Sequence, residues 1–146
     1  MKLRPSGDDG TILLLVIGFA ALLLALVAVV VDVSAVILAK RGAASAADGA
    51  AIAAAQQLDQ SAAYANGLGD AIPLSPDDVQ RVVAVYGARA SEGQEGLELS
   101  ADLDAAQTTA TVTAQREVSL PFGGWLGIGS VTVTAVAHAH APLVTP

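Results

Sequence analysis

Residues 11–31 read TILLLVIGFAALLLALVAVVV, and Asp32 ends the run. No charged side chain interrupts the stretch. A helix that crosses a bilayer needs about 20 mostly apolar residues to cover roughly 30 Å of hydrocarbon. This run is long enough to do so. A cleaved signal peptide would have a shorter apolar core, of roughly 7–15 residues, and a small-residue cut site. Here helix-compatible sequence continues from Asp32 through Arg41. A retained single-pass anchor near the N-terminus is therefore expected.

On its N-terminal side, MKLRPSGDDG (residues 1–10) is a short polar head with Pro and Gly. Asp8 and Asp9 stand where carboxylates favour the positive end of a helix dipole. Lys2 and Arg4 precede the span and Lys40 and Arg41 follow it. The positive-inside count is thus balanced, and the N-terminal amine tips it toward a cytoplasmic N-terminus. The expected location is a bacterial cytoplasmic membrane, crossed once, with the C-terminal domain outside.

On its C-terminal side, residues 32–65 are alanine-rich, and alanine is the best helix former. Gly42 and Gly49 weaken such a helix by about 1 kcal/mol each relative to Ala without stopping it. If residues 11–65 form one helix, it is about 80 Å long. A seven-residue repeat runs through Ile37, Ala44, Ala51 and Leu58, with Ala47 and Ala54 between, interrupted at Lys40 and Ser61. Such a small-residue stripe admits a close neighbour, either a helix of another protein or the chain's own sheet. Asn66 to Asp70 carries turn chemistry that ends the helix.

Ser75-Pro76-Asp77-Asp78 opens a second helix: Ser as N-cap, Pro at the first position, and two carboxylates at the dipole's positive end. Val79, Val82, Val83 and Tyr86 supply its apolar face, and the polar stretch from Gly87 to Gly96 is expected to end it. Three period-2 patterns follow, at residues 97–103, 109–120 and 131–135, rich in Val and Thr, which read as half-buried antiparallel strands. Asp104 to Gln107 is the expected hairpin turn. The fold class is α+β: a long N-terminal transmembrane helix of pilin-like type leading to a small extracytoplasmic domain with one further helix and about three strands. The corresponding divisions are 1–10 (cytoplasmic head), 11–31 (span), 32–66 (helical extension) and 67–146 (α+β domain).

Composition narrows the chemistry. The net charge of −7 argues against nucleic acid, whose binding relies on Lys and Arg meeting phosphates. The absence of Cys excludes thiolate chemistry, disulfides and sulfur metal ligands. His138 and His140 share one face of a strand, yet no third metal ligand stands near them in sequence. No Ser lies in a G-x-S-x-G elbow and no Gly-rich run leads to Lys-Ser/Thr. Neither an enzyme nor a cofactor is expected. Two features remain. Asp32 either marks the bilayer edge or makes a partner contact that fixes register in an assembly. The segment PFGGWLGIG (residues 121–129) sets Phe122 and Trp125 among four glycines. It serves either as core tucked under the sheet or as a contact loop for a partner or the membrane interface.

The segment 10–59 holds an uncleaved-looking anchor, an Asp at its end followed by a basic pair, and the run Ala46-Ala47-Asp48-Gly49-Ala50-Ala51. In that order these features resemble TadG-like and TadE-like proteins of the tight-adherence (Flp) pilus system. Residues 118–141, a strand, an apolar Gly-rich loop, a Val-Thr strand and an Ala-rich end, are similar to the same group. The resemblance implies a structural envelope protein, minor pilin-like or tethering, in Flp pilus assembly or a related secretion apparatus. A small anchored or secreted envelope protein unrelated to pili is the alternative. Processed prepilins carry Gly before the apolar run and Glu at the fifth position after the cut. Gly10 is present here but the fifth residue is Leu15, which resembles the unprocessed type. The expected partners are the lipid bilayer and other pilus or secretion-apparatus membrane proteins, self-association included. The expected assembly contacts are Asp32, Ala44, Ala47, Asp48, Ala51, Ala54, Phe122 and Trp125.

Overall fold

The computed structural model describes residues 9–61, 64 and 72–141. Helix α1 runs Asp9–Ala55 without interruption, 47 residues and so about 70 Å long. From Thr11 to Val31 every residue but Ala28 is exposed on a bare rod, as the lipid-facing reading requires. From Ala39 onward one face of the same helix becomes buried: Ala39, Ala43, Ala46, Ala47, Ala50, Ala51, Ala54 and Ala55.

That face packs on a three-stranded antiparallel sheet in the order β1-β2-β3: β1 Leu97–Leu103, β2 Thr109–Ser119, β3 Ser130–His140. Pairing sets Ala101 beside Val112 and Val112 beside Ala137, so one row of small apolar side chains crosses the inner face. Alternation sends Thr111, Thr113, His138 and His140 to the outer face. Helix α2, Pro76–Ser91, lies between α1 and β1 and buries Val79 and Val83. Among the described residues, helices thus cover one face of the sheet, a two-layer α+β arrangement. Leu74, Val79, Val83 and Val112 are the largest fully buried side chains, so the core is thin and closely approached rather than bulky.

Some expected boundaries move. Helix α1, expected to run on through residue 65, stops at Ala55. Leu58 pairs instead in an antiparallel bridge with Leu74. The Asp59 amide donates to the Pro73 carbonyl at 2.8 Å and the Ser75 amide to the Gln57 carbonyl at 2.8 Å. This long-range pairing outweighs the helical preference of the local sequence. The expected turn at Asn66 to Asp70 lies outside the described residues. Helix α2 continues through Gly87 to Ser91, and a Cβ at Gly87 would meet the Leu99 side chain at 3.5 Å, an ordinary contact. Strand β3 extends past Ala135 to His140, paired along its length with β2.

The two glycines of α1 mark where the rest of the domain presses on it. A Cβ at Gly49 would collide with the Tyr86 hydroxyl and lie 2.7 Å from its ring carbon Cζ. A Cβ at Gly42 would meet the Gln94 side-chain amide. Both residues weaken the helix locally, and both let a neighbour close onto it.

Candidate functional site

The lower end of the domain is built around Asp32, where α1 leaves the bare segment. Val118 of β2 and Val133 of β3 pack on Ala39, with Ala35 and Val36 alongside. The strand ends therefore reach down α1 to within a turn of Asp32. The connection between β2 and β3 goes one step further: the Phe122 amide donates to the Asp32 carboxylate at 3.1 Å, across ninety positions of sequence. Ala28, one turn below Asp32 on the same helix face, is the single half-buried residue of the 11–31 run.

The connection itself is tightly specified. Its ends are tied by the Leu120 amide donating to the Gly129 carbonyl at 3.0 Å. A 3₁₀ turn, Gly123–Leu126, follows, with the Trp125 amide bonded to the Phe122 carbonyl at 3.2 Å. Gly127 closes the turn at φ 75°, in the left-handed region that favours glycine. Gly123 is buried, and a Cβ there would collide with the Ile128 carbonyl and with Leu120. This ordered backbone turns three apolar side chains outward: Phe122 is 49% exposed, Ile128 51% and Trp125 99%. They do not tuck under the sheet, which answers the alternative left open by the sequence.

The remaining candidates separate into two sets. Ala47, Ala51 and Ala54 are buried against the chain's own sheet and helix α2, so they have no free surface for another protein. The small-residue stripe serves the fold, and its buried set, Ala43, Ala46, Ala47, Ala50, Ala51 and Ala54, is wider than a two-position heptad seam, as for a helix lying on a sheet. Ile37, assigned to the heptad, is 47% exposed. The burial of Ala43, Ala46 and Ala50 has no sequence signal, because nearly every position there is small, leaving little contrast between faces. Asp48 is exposed and Ala44 half-buried, both available from outside. Sequence alone carried no signal for the Asp32–Phe122 link.

On the outer sheet face, Thr111 Oγ1 lies 2.9 Å from His138 Nδ1 and Thr109 Oγ1 2.9 Å from His140 Nδ1. Each imidazole is thus engaged by a cross-strand neighbour. Among the described residues no group of three or more His, Asp or Glu is placed to hold a metal ion.

Residues 10–57 match the family model described as putative Flp pilus-assembly TadE/G-like. The matched stretch takes in the apolar run, Asp32, the Lys40-Arg41 pair and the whole alanine face of α1. It covers about a third of the chain and stops just after α1 does. No curated protein and no solved structure matches the chain. Taken with the one helix among the described residues that is long and apolar enough to cross a membrane, the match supports a pilus-related role.

Proposed function

We propose that the chain is a membrane-anchored structural component of Flp-type pilus assembly, or of a related secretion apparatus. It acts as a tether rather than a catalyst: the N-terminus stays in the cytoplasm, residues 11–31 hold the bilayer, and the α+β domain stands outside. The observation that carries this is the coincidence of the family match, residues 10–57, with the bare span and the alanine face that seats the domain on it. Because α1 runs unbroken from span to core, force applied to the domain passes directly into the anchor. No flexible connection intervenes. On this reading the partners are other membrane proteins of the apparatus, met through the outward side of α1 at Ala44 and Asp48.

Fractionation of the native host, with N-terminal sequencing of the recovered protein, tests the proposal. A tether is recovered in the membrane fraction with its polar head intact, and deleting its gene reduces surface pili. Recovery in sheared surface material beginning at Thr11 would make it a processed filament subunit. Unchanged piliation in the deletion strain would favour an envelope protein unrelated to pili.

A further inference from the structure

We propose that the β2–β3 connection is a second lipid contact, in which Trp125, flanked by Phe122 and Ile128, enters the headgroup layer beside the anchor and Asp32 fixes its depth. The inference rests on the reading of residues 11–31 as a membrane span. It follows from height along α1. The span ends at Val31, so Asp32 sits where hydrocarbon gives way to headgroups. The Phe122 amide is bonded to that carboxylate, which places the connection at the same level. Apolar surface on α1 continues past this level: Val33, Ile37 and Leu38 are 51%, 47% and 69% exposed. A loop at the height of Asp32 is therefore not held clear of the lipid.

The side chains suit that environment. An indole has an apolar body and one N–H donor, and tryptophan is favoured at the membrane–water boundary. Trp125 is 99% exposed, so the domain gives its ring almost no cover. The 3₁₀ turn and the close packing at Gly123 hold the loop in one shape, so the ring is presented without a large ordering cost on insertion. Lys40 and Arg41, two turns above Asp32 on α1, are both exposed and have side chains long enough to reach down to lipid phosphates. Lipid is the favoured occupant over a protein because the apolar loop continues the surface of a segment already committed to the bilayer. The consequence is orientational: a helix alone can rotate about its axis and tilt, whereas a helix with a side contact presents one face of its domain outward.

Trp125 is the chain's single tryptophan, so its own fluorescence reads the loop. The full-length protein is reconstituted into phosphatidylcholine–phosphatidylglycerol vesicles and its emission measured with lipids brominated at shallow or deep chain positions. The expected result is emission shifted to shorter wavelength, with intensity lost most to the shallow bromines. Asp32→Asn, which keeps an oxygen acceptor, retains that pattern, and Asp32→Ala weakens it while the protein still floats with the vesicles. Water-like emission, quenched by acrylamide and not by brominated lipid, overturns the inference while leaving the anchor intact. So does a shielded Trp125 indifferent to bromine, which would mean contact with a second copy. Unchanged depth in Asp32→Ala removes the role given to Asp32. Failure of the wild-type protein to float would overturn the span and the loop contact together.

Discussion

At the scale of single residues, Asp104 shows how a short polar side chain can set a hairpin. Its carboxylate accepts from the amides of Thr108 at 2.7 Å and Thr109 at 2.9 Å, and from the Thr108 hydroxyl at 3.2 Å. Gln107, at φ 54°, completes the reversal, and its carbonyl accepts from the Leu74 amide at 2.6 Å. The bond from Thr109, followed by those from Thr108 and the nearby His140, holds the Asp104 carboxyl below the usual carboxylate range. A folded-state value below the unfolded one means a stabilising contribution that is complete above the unfolded carboxylate range. It is lost as pH falls through the lower folded value. Asp104→Ala should therefore be less stable than the parent domain at neutral pH, and the difference should shrink on acidification. Urea unfolding of both proteins at neutral and strongly acidic pH checks this, and a gap that widens in acid would contradict it. The turn was legible in the sequence because Asp signals turns locally. The Asp32–Phe122 bond was not, since nothing local in either segment reports a partner ninety positions away.

At the scale of elements, the strands and the start of α2 were readable because period-2 alternation and the Ser-Pro-Asp-Asp opening are local signals with strong contrast. Ser75 adopts the extended backbone of an N-cap, φ −78° and ψ 113°, but its hydroxyl does not cap the helix. The Asp78 carboxyl is held below its usual range by the nearby Ser75 hydroxyl first and by Arg81 second. The limits of α1 were not readable, because bridge formation at Leu58 is a tertiary event. The contact between α1 and α2 has a sharp test at Gly49. Helix propensity alone favours Gly49→Ala by about 1 kcal/mol. The new methyl would collide with the Tyr86 ring, however, and overpacking of this kind costs about 1–3 kcal/mol. The expected sign is a loss of stability, with the second effect prevailing. Tyr86→Phe removes the nearest atom, so the double variant should recover part of the loss. A thermodynamic cycle of the four proteins reads this coupling, and additive effects would argue against a direct clash.

At the scale of the whole molecule, one helix does two jobs that need opposite surfaces. Its first half is apolar on all sides and contributes no buried side chain, while its second half is small on one side and forms the floor of a domain. Alanine makes the second job possible: with only a methyl group per position, the helix and sheet backbones approach closely, and contact comes from many short-range pairs rather than from large side chains. The buried set begins at Ala39, so the domain should not need the span in order to fold. A chain beginning at Asp32 retains every buried residue and places a carboxylate at the positive end of the shortened helix. It should show mixed helix and strand circular dichroism and a cooperative urea transition in the absence of detergent. Its stability should lie close to that of the full chain measured in micelles. Trp125 in this shortened protein should emit as an indole in water, since the surface that would receive it is gone. A non-cooperative transition would mean that the lipid-embedded half of α1 is needed to hold the upper half helical. In that case the small alanine core would be too weak to order the helix without it.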